Sequence, residues 1–325
     1  MKKIVVAVDA MGGDNAPSAV VYGAIMAMKK MPNLTVKLVG KKKEIDALLN
    51  AAKLVYHPQI EVVDATDKIA SDEVVDSNIR RRTESSLVKA INLVKKGEAG
   101  GVVSLGNTAV TVAAATLLFG RIPGVLRPAI ATIFPRSEGR VTVLLDGGAT
   151  VDCTPDHLVQ FADLGYAYAQ SIGFVNPKVG LLSIGEEPEK GNSVTKSAYN
   201  ILKDRNYFIG NVQGDDITNG PADVITCDGF VGNALLKAIE GIPKLLKSLA
   251  KETLISAILA KLLFKRIGKP LDYRTYGGCP VLGLKGLCFI GHGKSDDRAA
   301  CNAILAAAMA ITNNLLERVN EALRT

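Results

Sequence analysis

Short apolar segments alternate with amphipathic ones along the chain, and glycine-rich turns separate them. Residues 4–8 are uniformly apolar, which is typical of a strand in a sheet covered on both faces. Residues 34–39 and 101–104 predict further strands. Helical patterns come after the strands, as residues 17–30 do after residues 4–8. This recurrent order predicts an α/β fold, with three layers (α/β/α) around a mainly parallel central sheet.

The stretch from Ala222 to Asn233 illustrates this order. Residues 224–226 are β-branched and predict a strand, residues 228–232 form a Gly-rich break, and Asn233 is a suitable N-cap for a helix that begins at Ala234. Such a turn leaves backbone N–H groups and the positive end of the helix dipole directed at one place. The stretch therefore suits a phosphate, although an ordinary βα turn has the same pattern.

Polar turns follow several other predicted strands. In an open parallel sheet such turns lie together at the carboxyl ends of the strands, where ligands bind. We therefore expect a polar pocket along one edge of the sheet. The turns are Asp9–Asp14, Gly106–Thr108, Asp146–Gly148, Gly185–Asn192 and Asp228–Asn233.

The segment from Ala234 to Lys269 departs from this order, because its pattern is helical throughout and basic. Pro243 is expected to kink or divide its first helix. The apolar stripe in its second part is typical of packed core or of a dimer face. It is also typical of a basic amphipathic hairpin that inserts its apolar face into an anionic membrane surface. The hairpin would comprise residues 240–270. The candidate membrane contacts are Leu254, Ile258, Leu259 and Leu262.

Composition narrows the class of protein. The 325 residues are 48% hydrophobic, enough for one large α/β domain or two coupled ones, and no interdomain linker is evident, so we expect one catalytic unit over 1–325. Aromatic residues make up 5%, which disfavours a β-sandwich. Five cysteines without a CxxC pair, and a first apolar run that stops at Asp9, predict a cytoplasmic protein with free thiols. The net charge of +7 fits an acidic partner or an anionic surface.

Several common kinds of site are not indicated. The three histidines are widely spaced, and HExxH, GxGxxG, GxxxxGK[ST] and GxSxG motifs are absent, so no metal and no cofactor are expected. His157 on a predicted helix and His292 in Gly-His-Gly are each more often structural, although each is also a candidate to line the site. Cys227 ends an apolar strand, where a cysteine is usually buried and inert.

Taken together, a set of motifs resembles the PlsX family of bacterial phosphate acyltransferases over the full length of the chain. The motifs are Asp9-Ala-Met-Gly-Gly-Asp14, Gly106-Asn-Thr108, Arg127-Pro-Ala129, Asp146-x-Gly-Ala149, Gly185-Glu-Glu-x-x-Lys-Gly-Asn192, Asp228-Gly-Phe-x-Gly-Asn233, Tyr276-Gly-Gly278 and Leu282-Gly-Leu284 with His292-Gly293. Two positions depart from the family pattern: Ala109 and Thr150 stand where glycine and asparagine are common.

The resemblance implies reversible transfer of a fatty acyl group from acyl carrier protein to inorganic phosphate, giving acyl phosphate for phosphatidic acid synthesis. It implies a fold similar to phosphotransacetylase and to isocitrate and isopropylmalate dehydrogenases, without a cofactor. It also implies a homodimer, peripheral membrane association, and a membrane acyltransferase that consumes the acyl phosphate.

Site residues are assigned on the matching positions. Lys190 is expected to offset phosphate charge, Asn233 to donate to phosphate or to the oxyanion, and His292 to act as an acid for the leaving thiol. Asp9, Asp14 and Asp228 are expected to order the turns more than to touch a phosphate, because like charges repel. The expected phosphate and substrate contacts are Gly12, Gly13, Asp14, Asn107, Thr108, Gly191, Asn192, Asp228, Gly229 and Gly232.

Two basic clusters, 41–43 and 80–82, are candidates for docking the acidic carrier protein, although solvated charged faces would look the same. Two rival functions stay open at this level. One is an NAD-dependent decarboxylating dehydrogenase of similar fold. The other is a basic scaffold that binds membranes or nucleic acid. The phosphate acyltransferase hypothesis, in contrast, expects no nucleic acid partner.

Overall fold

The computed structural model describes residues 3–70, 73, 76–136, 139–249, 275 and 277–323. The chain divides into two compact units, of which the first comprises Met1–Pro128 with Tyr276–Thr325 and the second comprises Ala129–Thr275. The second unit is therefore an insertion in the sequence of the first. The expectation that residues 1–325 act as one catalytic unit stays a prediction.

The first unit alternates strands and helices before the insertion and ends with a strand pair and two helices. Its elements are β1 (Ile4–Asp9), α1 (Ser18–Lys30), β2 (Leu34–Gly40), α2 (Lys42–Ala51), β3 (Ile60–Asp64), a 3₁₀ helix (Ser77–Arg81), α3 (Ser86–Lys95), β4 (Gly101–Ser104), α4 (Thr108–Phe119) and, after the second unit in sequence, β11 (Cys279–Leu282), β12 (Leu287–Ile290), α9 (Asp297–Thr312) and α10 (Leu315–Ala322).

The strands of the first unit are ordered β3-β2-β1-β4-β12-β11. Parallel pairing joins β3 to β2, β2 to β1, β1 to β4 and β4 to β12, whereas β11 runs antiparallel to β12. In the register of these pairs, Asp9 and Ile290 both lie beside Ser104. The carboxyl ends of β1, β4 and β12 are therefore neighbours at one edge.

The second unit holds a separate sheet with helices between its strands. Its elements are β5 (Ala129–Ile130), β6 (Thr132–Pro135), β7 (Val141–Leu145), α5 (Pro155–Ser171), β8 (Val179–Leu182), α6 (Ser193–Leu202), β9 (Phe208–Val212), α7 (Asp216–Asn219), β10 (Val224–Thr226) and α8 (Gly229–Leu249).

The sheet of the second unit has the order β6-β7-β10-β8-β9, and the short strand β5 is not part of it. Its strands pair in parallel except that β6 runs antiparallel to β7. Thr226 at the end of β10 is in register with Leu145 on one side and Leu181 on the other, so these three strands also end together. The core on this sheet includes Phe134 and Ile225 and is covered by one face of α8.

The predicted α/β class with mainly parallel strands is confirmed, but the turns do not share one edge. Because the chain builds two sheets, the turns after β1 and β4 belong to the first unit, and those after β7, β8 and β10 belong to the second. The expectation of a single polar edge is wrong in this respect. Each sheet has its own carboxyl edge with its own polar turns.

The helix predicted from Ala234 begins earlier and runs on. α8 spans Gly229–Leu249 without interruption, so Pro243 does not divide it. Proline removes one backbone donor, and the remaining hydrogen bonds hold the helix on both sides. Residues 250–270 of the predicted hairpin, including Leu254, Ile258, Leu259 and Leu262, lie outside the described residues.

The described residues include several apolar helices. None of their helices is both long and apolar enough to cross a bilayer by itself, and α9 and α10 reach that composition only as a pair bent by 59°.

Candidate functional site

Asp9 organises the carboxyl edge of the first unit. Its side chain is buried and accepts hydrogen bonds from Ser86 Oγ at 2.6 Å, from Ser104 Oγ at 2.8 Å and from the N–H of Met11 at 3.3 Å. Desolvation by burial raises the pKa of this carboxyl, and the two hydroxyl hydrogen bonds oppose that rise. The Asp9 carboxylate thus joins the end of β1 to β4, to α3 and to its own turn. It orders this turn, as expected of Asp9 from the sequence.

The turn after β1 lies against the turns after β4 and β12. A Cβ at position 12 would lie 2.6 Å from Asp9 Oδ2, so only glycine fits there. The N–H of Asp14 donates to the carbonyl of Gly293 at 2.8 Å. Gly12, Gly13 and Asp14 therefore adjoin the loop that carries His292.

Asn107 and His292 lie at this same edge. Asn107 is the N-cap of α4, since its Oδ1 accepts the N–H of Val110 at 3.2 Å, and Thr108 is the first residue of that helix. Nδ1 of the half-buried His292 accepts the N–H of Lys294 at 3.1 Å. In the neutral imidazole the proton therefore sits on Nε2. The other predicted structural histidine, His157, accepts the N–H of Thr154 at 3.0 Å and completes the capping box of α5.

Asp146 has the corresponding place in the second unit, directly after β7. It is fully buried, and its carboxylate accepts four backbone N–H groups, those of Ile130 (2.8 Å), Gly148 (3.1 Å), Ala149 (3.0 Å) and Thr150 (2.6 Å). Desolvation by burial raises the pKa of this carboxyl, and these hydrogen bonds oppose the rise. The sequence pointed to this turn only as a polar break and did not single out Asp146 as its anchor.

The start of α8 lies directly on this turn. The N–H of Gly229 donates to the carbonyl of Thr150 at 2.8 Å, and a Cβ on Gly148 would lie 3.3 Å from the Cβ of Asn233. Gly232 packs so closely on the carbonyl oxygen of Asp146 that no side chain fits between them. The turn after β7 and the first turns of α8 are thus one packed assembly that presents Asn233 at its exposed surface.

The N-cap of α8 is Asp228 and not Asn233. The Oδ1 atom of Asp228 accepts the N–H of Val231 at 2.8 Å. The prediction that Asn233 caps this helix is therefore wrong, because the helix begins four residues before it. The amide of Asn233 is consequently not committed to that cap.

Lys190 lies in the loop between β8 and α6. Its N–H and the side-chain amide of Asn211 both donate to the carbonyl of Glu187, at 3.0 and 2.8 Å, which fixes the loop to β9. The side-chain stem of Lys190 passes over Gly185. Among the described residues, no carboxylate lies within 4.0 Å of its ammonium, which is exposed at the carboxyl edge of the second sheet.

The helix that follows Lys190 begins at the same place. Asn192 is the N-cap of α6, and its Oδ1 accepts the N–H of Thr195 at 2.9 Å. Gly191 joins this cap to Lys190 in a left-handed conformation, with φ of +107°. A lysine thus stands two residues before the positive end of a helix, and both features favour an anion.

The cysteines near Asp146 are poor nucleophiles. Burial raises the pKa of the Cys227 thiol well above its ordinary value, and the charges of Asp146 and Asp228 add to the effect. Burial likewise raises the pKa of Cys153 to about 12. Both are therefore thiols at neutral pH, as expected for Cys227 from the sequence. In the described part of the chain, no three His, Cys, Asp or Glu side chains come together in a metal-binding group.

Comparisons with known proteins agree with the motif set. The model of the "Fatty acid synthesis protein" family matches residues 4–318. A phosphate acyltransferase of a Nitratiruptor species is 45% identical over 98% of this chain and 97% of its own length. A phosphate acyltransferase of Clostridium acetobutylicum is 42% identical over 98% of this chain and 99% of its own length.

Solved structures support the fold. EutD phosphotransacetylase from Staphylococcus aureus superposes with a TM-score of 0.64 at 15% identity, covering 95% of this chain and 94% of that one. 4-Hydroxythreonine-4-phosphate dehydrogenase from Klebsiella pneumoniae gives a TM-score of 0.54 at 12% identity, covering 96% and 98%. At such identities the likeness concerns the fold alone, whereas the sequence relatives above decide among the three functional hypotheses. The chain belongs to the PlsX family of phosphate acyltransferases, enzymes of fatty acid and phospholipid synthesis.

Proposed function

We propose that this enzyme transfers a fatty acyl group reversibly from the thioester of acyl carrier protein to inorganic phosphate. A phosphate oxygen attacks the carbonyl carbon, the carbon–sulfur bond breaks, and the leaving thiolate takes up a proton. The products are acyl phosphate and free carrier protein. The observation that carries this proposal is the exposed side chain of Lys190, two residues before the N-cap of α6, in a chain of this family.

Inorganic phosphate is itself the nucleophile, so the protein's task is to position two groups and to stabilise the oxyanion. Holding the reactants in line contributes on the order of 7–11 kcal/mol. A cysteine nucleophile is not needed for this reaction, and the raised pKa values of Cys227 and Cys153 make these two poor candidates.

Lys190 is assigned to the phosphate, together with the backbone of Gly191 and the start of α6. The Oδ1 atom of Asn192 already accepts the N–H of Thr195. The N–H groups of residues 193 and 194, in the first turn of α6, are the orphan donors that a helix start offers to an anion. Their charge and geometry support phosphate binding at this end of the second sheet.

Asn233 is assigned to the oxyanion or to a phosphate oxygen, as a neutral donor held by Gly148 and by the start of α8. The N–H groups of Gly148, Ala149 and Thr150 donate to Asp146 and are not available for this role. Asp228, Gly229 and Gly232 support Asn233 through the helix cap and the close packing on the turn.

In the first unit, Asn107 is assigned as a second neutral donor and His292 as the acid for the leaving thiol. Its Nε2 proton is the one to be donated, because Nδ1 accepts a backbone N–H. Gly12, Gly13, Asp14 and Thr108 shape the turns that hold these two side chains.

Within the basic clusters, Arg81 and Lys43 are the residues assigned to carrier docking. Arg82 is bound to Asp67 and Glu73, and Arg80 donates to the carbonyl of Leu117 at 3.1 Å. Lys41 and Lys42 each form an ion pair with an acid on α2, with Glu44 and Asp46 respectively. Arg81 and Lys43 are exposed, with no ion-pair partner among the described residues.

Peripheral membrane association and a homodimer belong to the same proposal. The face of α8 that covers the core through Leu235 and Ile239 continues with Ile242, Leu246 and Leu249, which are exposed. An apolar stripe that extends beyond its own core supports burial in an anionic membrane surface or in a dimer interface. In this scheme acyl phosphate passes from a cytoplasmic enzyme at the membrane surface to a membrane acyltransferase.

The test is release of thiol from palmitoyl-acyl carrier protein, with and without phosphate. Phosphate-dependent release together with an acyl product that hydroxylamine traps is the expected result. Release without phosphate would indicate a thioesterase, and no release in either case would refute the proposed reaction.

A further inference from the structure

The carboxyl edge of the second unit carries exposed apolar side chains next to its polar residues. Ile184 is 80% exposed and Phe230 is 69% exposed, which places both among the most exposed large apolar side chains of the described residues. Val151, at 54%, accompanies them. Scattered exposed apolar residues are normal on a protein surface, so their location is what requires an explanation.

Hydrogen bonding and register bring these three residues to neighbouring strand ends. Val151 follows Thr150, whose carbonyl accepts the N–H of Gly229, and Phe230 follows Gly229. β8 pairs directly with β10, and Ile184 lies two residues beyond the end of β8, as Asp228 lies two residues beyond the end of β10. We call Val151, Ile184 and Phe230 the apolar rim.

Two members of the apolar rim are close in sequence to residues assigned to the reaction. Phe230 lies three residues before Asn233 in the first turn of α8, and Ile184 lies in the loop that holds Lys190. The reactive carbonyl of a fatty acyl thioester is joined directly to a long alkyl chain. A site that binds this carbonyl at Asn233 must therefore also accommodate the alkyl chain, and the apolar rim offers exposed uncharged surface at these strand ends.

We infer that the apolar rim is the surface along which a long acyl chain continues beyond its first methylenes, so that Ile184 and Phe230 contribute to the preference for long chains. This inference rests on the proposed acyl transfer and deepens it. A chain that covers these side chains removes apolar surface from water on both partners, which strengthens binding as the chain lengthens. Chain-length preference is then set beside the phosphate site.

The experiment compares kcat/KM for palmitoyl- and butyryl-acyl carrier protein in Ile184→Ser, Phe230→Ser and the double variant. The ratio of long-chain to short-chain kcat/KM should fall about tenfold in the double variant, the scale expected from losing contacts with one or two methylenes. Val175→Ser is the matched control, because Val175 is 87% exposed but precedes β8, at the opposite end of the strand from Ile184. It should leave the ratio unchanged.

Three further results are informative. An unchanged ratio in an active double variant that melts like the parent would refute the inference while leaving the proposed reaction intact. An equal loss for both chain lengths, accompanied by a smaller species in sedimentation, would assign the rim to a second copy of the chain and would also refute it. A parent enzyme that releases no thiol with either substrate would refute the proposed reaction itself, and the inference with it.

Discussion

Gly232 of α8 lies directly against the carbonyl oxygen of Asp146, with no room for a Cβ between them. The contact joins the first turns of a helix to the turn after a neighbouring strand, and the Asp146 carboxylate holds that turn through four backbone N–H groups. Position 232 therefore affects both the stability of the unit and the location of Asn233.

Gly232→Ala should destabilise the protein and lower its activity. The added methyl group forces α8 away from Asp146, and overpacking of this kind costs about 1–3 kcal/mol. The free energy of unfolding in denaturant measures the effect. Gly241→Ala is the control in the same helix, because nothing lies within 4 Å of a Cβ there, and it should stabilise the helix by up to about 1 kcal/mol. Equal stability of the two variants would contradict the close packing described here.

Lys190→Ala should lose about 10²-fold in kcat/KM for phosphate, the scale of one lost charged or oxyanion donor. Its melting temperature should stay close to that of the parent, because the side chain is exposed and has no ion pair among the described residues. Lys196 is an exposed lysine of α6, so Lys196→Ala is the control and should retain normal kinetics. Near-normal phosphate kinetics in Lys190→Ala would remove Lys190 from the site.

Asn233→Ala should separate catalysis from stability. Because Asp228 and not Asn233 caps α8, loss of the Asn233 amide should lower kcat on the order of 10²-fold with little change in the free energy of unfolding. Asp228→Ala should instead cost about 1 kcal/mol of stability through the lost cap. A large stability loss in Asn233→Ala, measured by thermal melting, would show that its role is structural.

Asp146 should make the stability of the protein depend on pH in an unusual direction. Burial raises its folded-state pKa above the ordinary 3.8, so the folded state holds this proton more tightly than the unfolded chain does. Its stabilising contribution is therefore complete below the ordinary pKa and is lost as the pH rises through the raised pKa.

Asp146→Asn cannot titrate and provides the comparison. The difference in unfolding free energy, parent minus variant, should shrink as the pH rises above the ordinary pKa of an aspartate. The contribution of Asp9 is the same in both proteins and cancels in this difference. A difference that grows with pH would mean that the four backbone hydrogen bonds outweigh desolvation.

Arg81→Glu should raise KM for acyl carrier protein about tenfold at low salt, because opposite charges accelerate encounter and like charges slow it. The effect should fade as salt screens the charges. Lys203→Glu, an equal charge reversal at the end of α6, is the control. Identical KM values for the two variants would remove Arg81 from the docking surface.

Local pattern predicted the elements well, because each depends on its own residues. The apolar run 4–8 and the turn at Asp9 both appear where the sequence predicts them. The division into two sheets was not predictable in this way, since strands such as β4 and β7 look alike locally, and their partners are set by contacts far along the chain.

The start of α8 shows a second limit. Asp228 and Asn233 are both good caps, and Gly232 resembles a turn residue when only the sequence is considered. Gly232 is inside the helix, and it is a glycine because the carbonyl of Asp146, 86 positions earlier, leaves no room for a side chain. Such a reason lies in tertiary packing, which the local pattern does not contain.

The insertion of the second unit has a consequence during synthesis. β4 pairs with β12, yet residues 287–290 leave the ribosome roughly 180 residues after Ser104, on the order of ten seconds or more at ordinary translation speeds. During that interval one side of β4 has no strand to pair with, whereas the sheet of the second unit already has all its strands. The nascent first unit thus carries an open strand edge, the kind of surface that chaperones cover, until the C-terminal segment is made.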